Sequence, residues 1–185
     1  MKIIYLAAYK AEHPKYNMTY QDINGKRDIG GDMLDVNLDP YDIIIATPPC
    51  NYWSRANYRR ETSTYAQATK HLLPDILKKL IKINKPFIVE NVRSPNLFKE
   101  AGLFDLSCYV YIHGRHTYWT NIPFNPSQIE QINEYKLLMC KKLEDGTWYK
   151  SGQKYIGNMN NITPANRQGG DNVFKVIEYW LETII

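Results

Sequence analysis

Asp42-Ile-Ile-Ile-Ala-Thr-Pro-Pro-Cys50 is the stretch on which the fold turns. A short apolar run closed by two prolines has the pattern of a parallel strand buried on both faces. Residues 2–8 form a similar run, and Pro86-Phe-Ile-Val89 forms a third that ends at Glu90-Asn91. Between the second and third runs, residues 64–83 carry Leu72, Leu73, Ile76, Leu77, Leu80 and Ile81 at helical spacing. Pro74 either kinks this helix or sits in the first turn of a new one. Strand, helix, strand is a βαβ unit, with a right-handed crossover and its chemistry at the carboxyl ends of the strands. Cys50 and Glu90 both lie just beyond such ends.

Working outward, Cys108-Tyr-Val-Tyr-Ile112 and Thr117-Tyr-Trp119 are rich in β-formers and read as a hairpin-like pair. Residues 171–184 place Val173, Val176, Ile177, Trp180, Leu181 and Ile184 on one face, which predicts a closing helix. Gly169-Gly170-Asp171 is expected to supply the loop and N-cap before it. Residues 125–170 are the least regular part. No internal repeat or Pro/Ser-rich linker divides the chain, so residues 1–185 read as a single domain.

The 185 residues are enough for one substantial core, and 44% hydrophobic with 23% charged residues excludes a disordered chain. A net charge of +4 and a pI near 8.8 permit a polyanionic partner. Arg55, Arg59 and Arg60 fall within ten residues of Cys50, while the acidic residues are scattered. Three cysteines without CxxC spacing argue against a disulfide framework or a zinc site, so no metal is expected and the compartment is expected to be reducing. The first residues read as a buried strand and not a signal peptide, and no run approaches the ~18 apolar residues of a membrane span. A cytoplasmic location with no membrane partner is the expectation.

Thr47-Pro-Pro-Cys50 after one strand, followed some forty residues later by Glu90-Asn-Val92 after the next, resembles the Pro-Cys and Glu-Asn-Val motifs of DNA cytosine-5 methyltransferases. Order, spacing and placement at strand ends all agree. The resemblance implies Cys50 as a nucleophile that adds to carbon 6 of cytosine and makes carbon 5 reactive toward a methyl sulfonium. It implies Glu90 as the acid at nitrogen 3. Asn91 would fix the loop, and Pro48-Pro49 would hold the Cys50 backbone by locking φ. Taken alone, Cys50 also reads as a buried, inert thiol; Glu90-Asn91-Val92 in register favours the nucleophile.

Gly114-Arg-His-Thr-Tyr-Trp-Thr-Asn-Ile-Pro123 resembles the family segment in which an arginine pair contacts the base and the catalytic loop. Aligning Trp119, Asn121 and Pro123 puts Gly114 and His116 where the arginines usually stand, with Arg115 between them as the expected base contact. Lys154-Tyr-Ile-Gly-Asn158 is similar to the family's late Gly-Asn motif beside the cofactor. Gly30-Gly31-Asp32 resembles the family's third motif, and with Pro48 and Asn158 forms the expected cofactor-binding set. Trp53, Ser54, Arg55, Arg59 and Arg60 mix aromatic and basic groups as a nucleic-acid surface does.

The resemblance covers residues 28–123 and, more loosely, 154–185. It implies an α/β domain with a parallel-strand-centred, Rossmann-type methyltransferase-like sheet flanked by helices, truncated. S-adenosylmethionine would be the cofactor and DNA the partner. Two departures stand out. Tyr5-Leu-Ala-Ala-Tyr9 lacks the family's glycine-rich turn, and only about 35 residues separate the first strand from the Cys50 strand, too few for two full βα units. Residues 124–153 are the only room for a target-recognition region, so a protein partner could supply recognition. Two rivals follow: a catalytically silent nucleic-acid or protein-binding domain, and an enzyme acting on a free cytosine nucleotide.

Overall fold

The structure, a computed structural model, describes residues 1–8, 13, 15–54, 57–94, 97–103, 106–113, 116–125, 129, 140–142, 148–150, 153–155 and 163–185, with backbone alone over 140–172. It separates into two compact units, Met1–Asn125 and Pro126–Ile185.

The first unit is built on a seven-stranded sheet. Its strands are β1 (Ile3–Leu6), β2 (Met18–Asp22), β3 (Ile29–Gly30), β4 (Ile43–Ala46), β5 (Phe87–Val92), β6 (Tyr109–His113) and β7 (His116–Thr120), in the order β3-β2-β1-β4-β5-β7-β6. The first five run parallel, and β7 is antiparallel to both its neighbours. All four residues of β1 and of β4 are buried, as expected of central strands covered on both faces. Among the described residues of this unit are three helices: α1 (Thr64–Thr69), α2 (Leu72–Ile83) and α3 (Leu97–Ala101).

The expected 64–83 helix is therefore two. Ser63 caps α1 by accepting a hydrogen bond from the Ala66 amide at 3.3 Å, and Pro74 lies in the first turn of α2, where a missing amide leaves no bond unmade. Asn84 ends α2 in the left-handed region at φ 56°, its amide bonding the Leu80 carbonyl. Leu73, Ile76, Leu77 and Leu80 from α2 share one core with Ile4, Leu6, Ile44, Ala46, Phe87 and Val89, which alternate along β1, β4 and β5. These sheet residues are register neighbours on one face. Ile3, Tyr5, Ile45 and Ile88 on the opposite face are buried too.

The expected hairpin is present as β6 and β7, and Asn121 just past it clamps the sheet. Its side-chain oxygen accepts from the Phe87 amide at 3.1 Å, and its Nδ2 donates to the Lys85 carbonyl at 3.0 Å. The amino-terminal half departs from expectation in an instructive way. Both β2 and β3 are present as parallel strands, but β2 reaches β3 through residues 23–28 with a turn from Asp22 to Gly25 and no helix. The strands are kept and that crossover helix is lost. Gly30 is fixed by packing: a Cβ there would lie 2.9 Å from the Gly25 Cα.

The second unit contains a three-stranded antiparallel sheet, β8 (Cys140–Lys142), β9 (Trp148–Lys150) and β10 (Gln153–Tyr155), and α4 (Thr163–Glu182). The closing helix thus begins eight residues before Asp171. Gly169-Gly170-Asp171 is inside it and not a loop with an N-cap. Pro164 in the first turn suits a start at Thr163, and interior glycines at ~1 kcal/mol each are too weak a break to stop a helix with an apolar stripe beyond them. Val176, Ile177, Trp180 and Leu181 on that stripe are fully buried. No helix among the described residues is long and apolar enough to cross a membrane.

Candidate active site

The chain leaves β1 toward β2 and β3 on one side, then returns to β4 and β5 on the other. The carboxyl ends of β1 and β4 therefore flank a topological switch point, where open α/β sheets bind ligands. Ala7, directly after β1, has φ 56°, a left-handed turn made without glycine. Two side-chain and backbone bonds hold it against its neighbours: its amide donates to Gln21 Oε1 at 2.9 Å, and its carbonyl accepts from Thr47 Oγ1 at 3.4 Å. The Thr47 amide also bonds the Leu6 carbonyl.

From Thr47 the chain enters Pro48-Pro49-Cys50. Asn91, 1% exposed, donates from Nδ2 to the Pro48 carbonyl at 2.9 Å and accepts from the Val92 amide at 3.0 Å. The end of β5 thus pins the loop that carries Cys50. The Cys50 carbonyl accepts from the Ser54 amide at 2.8 Å, closing a turn after the thiol. Cys50 is partly buried, and its thiol is pushed above its ordinary value, first by burial and then by the nearby Glu90 charge. The second effect places the two expected reactive groups within electrostatic reach of each other.

Alternation along β5 sends Asn91 to one face of the sheet and Glu90 to the other. Glu90 stands opposite Tyr118 on β7, and His116 opposite Val92, so Glu90 and His116 are diagonal neighbours on one face. Their side chains meet, with Glu90 Oε1 2.7 Å from His116 Nδ1 and side-chain exposures of 12% and 15%. His116 Nε2 is buried without a hydrogen-bond partner among the described residues. Tyr5 shares this face, and burial raises its hydroxyl so far that it stays neutral. Sequence reasoning marked His116 only as a departure from an arginine pattern. Its contact with Glu90 spans 26 residues and has no local signal. Gly114 and Arg115 lie outside the described residues.

On the far side of the switch point, Asp22 closes β2. It is buried, and its Oδ2 accepts from the Asn24 amide at 3.1 Å and from Asn24 Nδ2 at 3.0 Å. Asp22 is not among the site residues that the sequence pattern marks. The available signal was an acid ending the β-compatible run Met18-Thr-Tyr-Gln-Asp22. Gln21 links the three strand ends, since its Oε1 accepts from Ala7 and its Nε2 donates to the Gly31 carbonyl. Gly31 has φ 96°, and Asp32 Oδ1 accepts from the Leu34 amide at 2.9 Å. Asp32 therefore has a turn-capping duty of its own. Asn158 lies outside the described residues.

The expected nucleic-acid surface divides. Trp53 is 3% exposed and belongs to the core, packed edge-on against Tyr52, so its ring offers no face for a base. Tyr58 instead is the exposed aromatic of this loop, at 79%, with the Arg59 guanidinium 5.4 Å from its ring centre. Arg60 pairs with Glu61 at 3.2 Å and Glu100 at 3.4 Å. Ser54 is partly exposed, and Arg55 lies outside the described residues.

Residues 4–101 match the family model described as C-5 cytosine-specific DNA methylase. The matched span runs from Ile4 in β1 through β5 and α3, includes Cys50 and Glu90, and stops before the hairpin that carries His116. No curated protein matches the chain.

Proposed function

Since the chain belongs to the C-5 cytosine-specific DNA methylase family, we propose that residues 1–185 act as one catalytic domain that methylates carbon 5 of cytosine in DNA through a covalent Cys50 adduct. The observation that carries this reading is the joining of the β4 and β5 ends, where Asn91 ties the Pro48 carbonyl and Glu90 acts electrostatically on Cys50. The Cys50 sulfur adds to carbon 6 while a proton from the Glu90 carboxyl goes to nitrogen 3, so the ring gains a nucleophilic carbon 5 without carrying a full negative charge. After methylation the carbon 5 proton passes to water, Cys50 leaves as a thiolate, and nitrogen 3 returns its proton to Glu90, from which the thiolate is reprotonated. Because burial favours the neutral thiol, Cys50 gives up its proton as the base enters; the Glu90 carboxylate takes it up and hands it on to nitrogen 3, while Asn91 and the two prolines keep the sulfur in place.

S-adenosylmethionine would supply the electrophilic methyl group. The residues at the strand ends fit it. The left-handed turn at Ala7 brings bare backbone to the switch point, and the buried Asp22 carboxylate at the end of β2 suits ribose hydroxyls. Asp32, with Gly30 and Gly31 at the end of β3, would take the adenine side, and Pro48 after β4 is the remaining proposed contact from this unit. Arg115 is the proposed contact to the base oxygen, while Arg55, Arg59 and Ser54 would face phosphates.

DNA containing 5-fluorocytosine tests the reading, because fluorine at carbon 5 blocks the final elimination and traps the adduct. Trapping is expected with the wild type, absent in Cys50→Ser, and slowed by roughly a hundredfold in Glu90→Gln. Adduct that persists in Cys50→Ala refutes the nucleophile. Calorimetry with S-adenosylmethionine tests the cofactor: Asp22→Asn should weaken binding by roughly ten- to a hundredfold. Absence of binding at millimolar ligand, with and without DNA, would favour a silent DNA- or protein-binding scaffold. Label transferred to a free cytosine nucleotide but not to DNA would favour the nucleotide enzyme.

A further inference from the structure

We propose that His116 is the positioning residue for Glu90: as the Nδ1–H tautomer it binds Oε1 and leaves Oε2 as the oxygen that carries the acidic proton to cytosine. The inference rests on Glu90 being the acid at nitrogen 3, and it adds the group that orients that acid. Three observations support it. The two side chains meet at 2.7 Å across the β5–β7 ladder, in a geometry set by backbone register and not by a mobile loop. Both groups are mostly withdrawn from water, at 12% and 15% side-chain exposure, so the bond is little screened. His116 Nε2 is buried with no hydrogen-bond partner among the described residues. In the Nδ1–H tautomer that atom is a bare lone pair needing no acceptor, whereas either alternative protonation buries an N–H there with none.

The consequence is chemical. A free carboxyl exchanges its proton between two oxygens and rotates about its terminal bond. With Nδ1–H on Oε1, the proton is confined to Oε2. When the Cys50 sulfur bonds carbon 6, that proton passes from Oε2 to nitrogen 3 and Glu90 becomes a carboxylate. The same Nδ1–H then stabilises the new charge through a charge-assisted bond. On elimination nitrogen 3 returns the proton to Oε2. His116 stays neutral throughout and touches no reacting atom.

Five proteins test this: wild type, His116→Leu, His116→Asn, Glu90→Gln and the Glu90→Gln/His116→Leu double variant that closes the cycle. The measurements are the rate of 5-fluorocytosine adduct formation at saturating DNA and the affinity for that DNA. His116→Leu should slow the adduct by roughly ten- to a hundredfold, the scale of a misplaced reacting group, with DNA affinity unchanged. His116→Asn, whose amide N–H can replace Nδ1–H, should recover most of the rate. In the Glu90→Gln background His116→Leu should add nothing, because a positioning residue acts only through its partner. Nitrogen NMR of histidine-labelled wild type should find the His116 proton on Nδ1, and Glu90→Gln should shift that signal; this decides the tautomer even where His116→Leu fails to fold. A proton found on Nε2, or an equal slowing by His116→Leu with and without Glu90, overturns the inference. A wild type that forms no adduct overturns the methylation reading and this inference with it, whereas a wild-type adduct indifferent to both histidine variants overturns this inference alone.

Discussion

Replacing Asn91 should loosen the catalytic loop and the fold together, by an amount set by two hydrogen bonds. Asn91→Ala removes the donor to the buried Pro48 carbonyl and the acceptor for the Val92 amide. A buried group left unpaired costs about 1–3 kcal/mol, so the two together should destabilise the domain by roughly 2–4 kcal/mol. That is a large part of a typical 5–15 kcal/mol, yet it leaves a folded majority. Asn91→Asp sharpens the test. It keeps the acceptor for Val92 but sets a carboxylate oxygen against the Pro48 carbonyl in a site that is 1% exposed. Burial and that repulsion raise the folded-state pKa of the new carboxyl above the ~3.9 of an unfolded aspartate. With the folded pKa raised, the variant is nearest to wild type at low pH, where the protonated acid can donate as the amide did. It loses stability as pH rises through the folded pKa. Urea unfolding from pH 5 to 8, followed by tryptophan fluorescence, reads both variants, and 5-fluorocytosine trapping reads the loop. Equal unfolding midpoints for Asn91→Ala and wild type, or an Asn91→Asp penalty that is flat with pH, would refute the reasoning.

Iodoacetamide should alkylate Cys50 slowly at neutral pH and about tenfold faster per unit of pH until the thiol titrates, which burial and Glu90 move above the ordinary 9.0. Mapping of the modified peptide separates it from Cys108 and Cys140; a rate that levels off below pH 8.5 contradicts the raised value, and Glu90→Gln should shift the curve to lower pH. Ala7→Gly should raise the thermal midpoint by a few degrees, because a left-handed alanine costs roughly 1–2 kcal/mol and glycine returns part of that as backbone entropy; a lowered midpoint would show that the alanine methyl matters more than the strain. Asp32→Ala should cost ~1 kcal/mol of stability through its lost cap to Leu34, whatever it does to cofactor affinity, and unchanged denaturation would discount that cap.

Much of this protein is readable from local pattern. Ile43–Ala46 and Phe87–Val89 are unbroken apolar runs closed by proline or by acid and amide, and burial on both faces of a parallel sheet leaves that trace in any sequence. The apolar stripe of α2 is equally plain, and with the two runs it joins it sets Cys50 and Glu90 at neighbouring strand ends on local pattern alone. What stayed hidden depends on partners distant in the chain. β2 is five residues of mixed polarity and β3 only two, so their strand character comes from pairing, β2 with β1 and β3 with β2, and not from periodicity, and Asp22 is hidden with them. Trp53 beside arginines reads as a stacking face until the core closes over it, while Tyr58 five residues on is left exposed. Gly169-Gly170 reads as a break because the cost of glycine is local, whereas the stripe that outweighs it begins beyond them. The Glu90–His116 pair needs an antiparallel strand returning beside β5 with a diagonal offset of two residues. Sequence spacing carries the period of an element and the residues at its ends. Which side chains meet across a sheet is decided by register and strand order, and these are set by tertiary packing.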